Sequence, residues 1–271
     1  MSVGTGIEWT EATWNPVTGC DRVSAGCDHC YAATLAKRLK AMGNPRYQKD
    51  GRPETSGPGF GVTLHHDQID LPLRWKKPKV VFVNSMSDLF HDMVSESFVA
   101  AVFDVMAEAS QHTFQVLTKR PRRMQGMLER WLANGNEIDG HWTPAPNVWL
   151  GTSVEDQKWA DQRIPLLLEA PAAVRFLSCE PLLGSIDLRL DPETAKALHW
   201  VIAGGESGPG YRPMQLEWAR SLRDQCRKTR VPFFFKQWGG RTPKAGGREL
   251  DGEIWDEMPT RSALPAITVA G

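Results

Sequence analysis

The chain of 271 residues has no net charge, because 32 Lys and Arg balance 32 Asp and Glu. A global basic field is therefore absent, and any hold on nucleic acid must come from a local patch. No apolar run reaches the roughly 18 residues of a membrane helix, which excludes a helical span. The opening MSVGTGIEWTEATWNP lacks the basic start and apolar stretch of a secretory signal, so a cytoplasmic protein with no membrane partner is expected. No solenoid-type repeat is visible. What is present is the balance of a folded domain with a substantial core, 41% hydrophobic and 24% charged. Two features exceed that background: 11 Trp, and five Cys of which three stand at positions 20, 27 and 30.

Short apolar runs recur at 80–84, 114–118, 147–151, 174–178, 200–204 and 232–236. They begin roughly 30 residues apart, the length of one strand, one helix and two loops. Their nearly continuous apolar character is that of parallel strands buried on both faces. The segments between them have helical periodicity. Phe98, Val102, Met106 and Ala109 share one face behind a capping Ser95, Met124, Leu128, Trp131 and Leu132 share another, and Leu216, Ala219, Leu222 and Cys226 a third. Two earlier runs, 12–17 and 62–66, bring the strand count to that of a closed barrel. The expected fold is α/β, a parallel (β/α) barrel of TIM type. It is irregular or partial between the second and third strands, where residues 67–79 hold Pro72 and Pro78 and leave little room for a helix. One barrel domain over 1–238 is expected, with a Gly/Pro-rich insertion at 43–61. A C-terminal extension follows at 239–271, whose 250–255 segment covers the barrel and whose residues 260–271 are loose.

Polar residues follow the apolar runs: Asn84, Ser85, Asp88 and His91; Lys119 and Arg120; Thr152, Ser153 and Glu155; Cys179 and Glu180; Gly204, Gly205, Glu206 and Ser207; Gln237 and Trp238. Parallel α/β folds place their sites at the carboxyl ends of strands, so a functional rim is expected there. Any one of these residues could instead cap the following helix. Lys119, Arg120, Arg122 and Arg123 form a basic knot suited to an anion, with Lys119 nearest the strand end. In the insertion, Arg46, Tyr47, Lys49 and Arg52 place basic residues beside an aromatic, a composition that suits nucleic acid as well as a plain mobile loop. Trp14 and Trp238 flank the candidate sites and offer rings for stacking.

The most specific signal is Cys20, Cys27 and Cys30, directly after the first strand. They lead into a helix with Tyr31, Leu35, Leu39 and Met42 on one face. Without a secretion signal, clustered cysteines read as metal ligands rather than disulfides. Three thiolates can hold three irons of a cubic [4Fe–4S] cluster and leave the fourth open. Zinc would need a fourth protein ligand, with His65 or His91 as candidates. Inert thiols are the third reading.

The three cysteines after the first strand of a parallel barrel, ending Cys27-Asp28-His29-Cys30-Tyr31, resemble the radical S-adenosylmethionine superfamily. His29 fills the usual aromatic slot, and the first spacer has six residues where the common motif has three. Over nearly its full length the chain is also similar to a phage and bacterial family named after phage gene products thirty-seven and sixty-eight. The matching stretches are Trp14-Asn15-Pro16, Asn84 to His91, Leu117 to Pro121, Ser178 to Leu182, Gly204 to Gly208 and Phe235 to Gly239.

The superfamily resemblance implies a cluster on Cys20, Cys27 and Cys30, with S-adenosylmethionine as cofactor. It implies a reductase such as flavodoxin as electron donor, and a 5′-deoxyadenosyl radical that abstracts hydrogen from a substrate. Gly204-Gly205-Glu206 resembles the superfamily's cofactor-binding Gly-Gly-Glu, although it follows the seventh candidate strand rather than the second. The expectation is that Glu206 takes the cofactor's amino group and Lys119 its carboxylate, with Asn84 and Ser153 also toward the cofactor. Asp88, Glu155 and Glu180 are the catalytic candidates, and a nucleotide or nucleic-acid base is the candidate substrate. Two other classes stay open. One is a barrel hydrolase using two of Glu155, Glu180 and Glu206 as acid and base. The other is a zinc-stapled nucleic-acid-binding protein.

Overall fold

The computed structural model describes residues 5–133 and 145–259. Seven strands form one sheet: β1 (Ala12–Trp14), β4 (Val80–Val83), β5 (Thr113–Thr118), β6 (Val148–Ser153), β7 (Val174–Cys179), β8 (Trp200–Gly204) and β9 (Phe233–Gln237). They lie in the order β1-β4-β5-β6-β7-β8-β9, parallel between β1, β4 and β5 and between β7, β8 and β9. Strands that neighbour one another in chain order have the succession of a TIM-type barrel, here a partial one. The chain divides into two compact units, Met1–Trp149 with Pro171–Ala173, and Leu150–Ala170 with Val174–Gly271.

The eighth strand expected at 62–66 does not join this sheet. Instead β3 (Thr63–Leu64) pairs antiparallel with β2 (Val17–Thr18). A parallel neighbour needs a long crossover, usually a helix. The following residues supply only two short 3-10 turns, His66–Gln68 and Leu71–Arg74. The run at 12–17 is likewise split in two at Asn15 and Pro16, since proline brings no N–H to a ladder.

In the first unit, α2 (Glu96–Glu108) begins where Ser95 Oγ accepts the Phe98 N–H at 3.3 Å, and it buries Phe98, Val102 and Met106. Helix α3 (Pro121–Ala133) buries Met124, Leu128 and Trp131, while Leu132 of the expected stripe faces outward. Helix α1 (Tyr31–Ala41) overturns its expected face. Tyr31, Leu35 and Met42 are 56%, 39% and 70% exposed, and the buried positions are Ala32 and Ala36. The reason is the insertion, which packs onto α1 through small residues. A Cβ at Gly59, where φ is +71°, would stand 2.8 Å from the Ala36 carbonyl oxygen. Tyr47 and Phe60 close over Ala32 and Ala36. The insertion is therefore a packed element, and the buried Tyr47 ring is not available to stack on a base. Trp14 is also core. Its ring lies 5.8 Å from that of Phe114, and its Nε1 donates to the Gln68 carbonyl.

In the second unit, α4 (Gln157–Glu169), α5 (Pro192–Ala197) and α6 (Leu216–Thr229) follow β6, β7 and β8. Helix α6 buries Ala219, Leu222 and Cys226. The extension forms a hairpin of β10 (Glu249–Leu250) and β11 (Glu253–Ile254), and the chain beyond it covers the outer edge of β9. The Phe235 N–H donates to the Trp255 carbonyl at 2.8 Å, and Phe234 bridges Asp256. Covering an edge strand removes a template for unwanted pairing. The segment 260–271, expected to be loose, lies outside the described residues. Among the described residues no helix is long and apolar enough to cross a membrane.

Candidate functional site

The cysteine loop of the first unit runs from β2 to α1. Gly19 opens it with φ +87°, and a Cβ there would come within 2.3 Å of the Gly61 carbonyl oxygen, so only glycine lets the two segments meet. The Gly19 N–H donates to the Met86 carbonyl and the Cys20 N–H to the Phe60 carbonyl. A short 3-10 turn, Ala25–Cys27, follows, and Cys30 stands at the N-terminus of α1. Cys20 and Cys30 pack against an apolar wall of Ala32, Ala36, Tyr47, Phe60 and Met86. Cys27 lies 3.9 Å from the Ser24 hydroxyl, sulfur to oxygen.

Burial pushes the Cys20 thiol up to about 12, with Asp88 adding to the rise and Arg120 opposing it. Burial also raises Cys30, against the opposing backbone N–H groups of Ala33 and Ala32 and the charge of Lys119. Both sulfurs therefore need a positive partner to ionise.

That charge is arranged around them. Arg120 Nη1 donates to Cys20 Sγ at 3.5 Å and to Asp88 Oδ2 at 3.0 Å, and its Nη2 donates to the Asp21 carbonyl at 3.2 Å. Asp88 is saturated. Its Oδ1 accepts from the Phe90 N–H and the Thr118 hydroxyl, and its Oδ2 also accepts from the Lys119 N–H. The catalytic role expected of Asp88 does not suit a carboxylate whose acceptor positions are filled within the protein; what it does is hold Arg120. Asp21 accepts from Thr55 at 2.5 Å and Ser56 at 3.0 Å, and it meets His91 Nε2 at 3.1 Å. Burial pushes the Asp21 carboxyl up, but these hydrogen bonds outweigh it and hold the group below its usual value. The Met93 N–H donates to His91 Nδ1, which assigns the His91 proton to Nε2. Burial, reinforced by Arg120, lowers the His91 pKa against the opposing pull of Asp21 and Asp88. Arg123, counted in the basic knot, donates to the His91 and Val94 carbonyls.

Zinc finds little here. Among the described residues no three His, Cys, Asp or Glu side chains are grouped to hold one metal ion. His91 has both ring nitrogens engaged, and His65 gives Nε2 to the Thr18 hydroxyl at 2.8 Å. Sulfurs sharing one zinc at about 2.3 Å each would crowd to roughly 4 Å from one another. Sulfurs that each serve a different iron stand wider. What the loop offers is three thiols on one segment, with Arg120 at Cys20 and the charge of Lys119 felt at Cys30.

Asn84 follows β4 with φ +59°. Its N–H donates to the Trp14 carbonyl and its Oδ1 accepts from the Val17 N–H, while its Nδ2 is buried without a hydrogen-bond partner. Gln115, in register with Phe82 on the neighbouring strand, leaves Oε1 equally orphaned. Gln115 escaped sequence reading because it lies inside an apolar run, and a lone polar residue there was the available signal.

In the second unit, each rim carboxylate has its own cation. Glu155 Oε2 pairs with Arg163 Nη1 at 3.0 Å, both side chains buried, and the same Nη1 donates to the Ser153 carbonyl. Glu180 Oε1 meets Lys236 Nζ at 2.8 Å, and its Oε2 accepts from the Ser178 hydroxyl. Glu206 accepts from Arg212 through Nε at 2.9 Å, Nη2 at 2.5 Å and the backbone N–H at 2.8 Å. The partner expected of a cofactor ammonium is thus supplied by the chain itself. Gly204 and Gly205 also serve their own fold. A Cβ at Gly205 would stand 1.9 Å from the Trp238 carbonyl oxygen, and one at Gly204 would stand 3.2 Å from Glu180 Oε1. Trp238 gives Nε1 to the Glu249 carbonyl and packs on Phe235.

An α/β protein with a sequential parallel sheet and a three-cysteine loop after its first strands is thereby defined. Residues 4–259 match the family described as Protein of unknown function (DUF5131), and the chain belongs to that family. No curated protein matches it. Among solved structures, a cysteine-to-serine mutant of spore photoproduct lyase is similar with a TM-score of 0.46 and 12% identity, covering 89% of this chain and 78% of that one. The lyase complexed with dinucleoside spore photoproduct gives 0.41 and 12%, over 83% and 74%.

Proposed function

We propose that the chain is an iron–sulfur enzyme of radical S-adenosylmethionine type, with a [4Fe–4S] cluster on Cys20, Cys27 and Cys30. The observation that carries this reading is the gathering of the three cysteines on one loop, two of them against an apolar wall with Arg120 and Lys119 supplying positive charge. When bound, the cluster and cofactor together would supply one-electron cleavage of the sulfonium to methionine and a 5′-deoxyadenosyl radical, the electron coming from a reductase such as flavodoxin. The chain's own part is to hold and to shield. The apolar wall of Tyr47, Phe60 and Met86 covers part of Cys20 and Cys30. Lys119, whose charge is felt at Cys30, is the candidate for the cofactor carboxylate. The orphaned Nδ2 of Asn84 and Oε1 of Gln115 are a donor and an acceptor for a polar ligand, and a nucleotide or nucleic-acid base is the proposed substrate class. Glu206 is not carried forward as the ammonium partner, because Arg212 already neutralises it.

The hydrolase alternative has less support, since Glu155, Glu180 and Glu206 are each committed to an internal cation. Anaerobic reconstitution followed by iron and sulfide assay tests the proposal. The protein should gain iron–sulfur absorption and release 5′-deoxyadenosine under dithionite. Stoichiometric zinc without sulfide would defeat it.

A further inference from the structure

Resting on the cluster reading, we propose that Arg120 sets the reduction potential of the cluster by donating a charge-assisted hydrogen bond to the sulfur of Cys20. The contact is built rather than incidental. Arg120 stands at the N-terminal edge of α3, a hundred positions from Cys20 in the chain, yet Nη1 reaches Cys20 Sγ at 3.5 Å. The same Nη1 lies 3.0 Å from Asp88, and Nη2 is tied to the carbonyl of Asp21, the residue next to Cys20. Side-chain exposures of 12% for Arg120 and 7% for Asp88 keep solvent from screening the pair. Asp88 is itself pinned by Thr118 and by two backbone N–H groups, so the guanidinium cannot swing away without breaking several bonds.

The sign follows from charge. A low-potential donor gives up one electron and the cluster takes it, becoming one unit more negative. A cationic donor on a ligating sulfur stabilises that reduced state more than the oxidised one and raises the potential. Arginine suits the task better than lysine, because its fork can serve sulfur, carboxylate and carbonyl at once and cannot lose its charge. The guanidinium contact falls on Cys20, so the effect is directed to one corner of the site.

The test is a dye-mediated potentiometric titration of reconstituted full-length protein, followed by the electron paramagnetic resonance signal of the reduced cluster. In Arg120→Met with full iron and sulfide, the ratio of reduced to oxidised cluster at a fixed potential should fall about tenfold, a drop of about 59 mV for a one-electron couple. Arg120→Lys keeps the charge but loses the fork, and its midpoint should fall between the two. Equal midpoints in a loaded parent and a loaded Arg120→Met overturn the hydrogen-bond proposal and leave the cluster reading standing. If Arg120→Met does not load, Arg120→Lys decides: an unchanged midpoint overturns the proposal, and a lowered one supports it. A parent that takes up no iron overturns the cluster reading, and this inference with it.

Discussion

The two units treat charge in different ways. In the second, Glu155, Glu180 and Glu206 each close on one cation of their own, Arg163, Lys236 and Arg212. In the first, the charges form a chain: Thr118 fixes Asp88, Asp88 fixes Arg120, and Arg120 ends on the sulfur of Cys20. A closed ion pair has satisfied its partners and does structural work. A chain that ends on a weak acceptor still has electrostatic effect to deliver. The difference teaches that a polar residue after a strand is informative only once its partner is known, and it accords with the proposal that puts the cluster in the first unit.

The sharpest way to break that contrast is to remove the sulfurs. Cys20→Ala, Cys27→Ala and Cys30→Ala should each abolish the iron–sulfur absorption of reconstituted protein. Cys179→Ala, buried in the second unit, should keep it in full. Loss of iron in Cys179→Ala would mean that the units had been read the wrong way round.

Next in size is the buried pair. Glu155→Gln leaves Arg163 without its counter-charge and should lower unfolding stability by about 3–5 kcal/mol in a urea titration, with iron content unchanged. A loss below about 1 kcal/mol would show that the pair is dispensable.

A smaller effect is expected for the ligand. Lys119→Met should weaken S-adenosylmethionine binding about ten- to hundredfold by calorimetry, the worth of one charge-assisted contact. Arg212→Met should leave that affinity as it is. If only Arg212→Met changes it, Glu206 regains the role taken from it here.

The smallest effect concerns acid. Two arginines, Arg220 and Arg223, hold Asp251 down from 3.8 to about 2. A carboxyl depressed on folding adds stability that is complete above its unfolded value and is lost as pH falls through the folded one. Asp251→Asn should therefore melt below the parent by a constant margin near neutrality. The two melting curves should merge as pH drops from 3.8 toward about 2.

Much of the fold was legible because buried parallel strands read as unbroken apolar runs. The runs at 80–84, 174–178 and 200–204 became β4, β7 and β8 with at most one residue of change at an end. The run at 62–66 was misread for the same reason, since apolar composition says nothing of the crossover a parallel strand requires. Helix α1 misled because the large apolar residues were taken as its core face. Gly59 comes close to the backbone at Ala36, and the face it meets carries alanines, while Tyr31, Leu35 and Met42 stand exposed. The cysteines stood out by their spacing, and the structure places all three on the one segment between β2 and the start of α1. The contact of Arg120 with Cys20 was not legible, because its partner lies a hundred positions away and no periodicity links them.

One feature of the cysteine loop reaches beyond the chemistry. Asp21 is tied to Thr55, Ser56, His91 and Arg120, Cys20 to Phe60, and Gly19 to Met86, all by bonds that involve no metal. A zinc finger is unfolded until its ion arrives, so its metal is a part of its folding. Here hydroxyls, a carboxylate and backbone amides tie the cysteine loop to the rest of the first unit. The loop is thereby anchored at several points other than its sulfurs, so exchanging a single cysteine should leave the course of the backbone there in place.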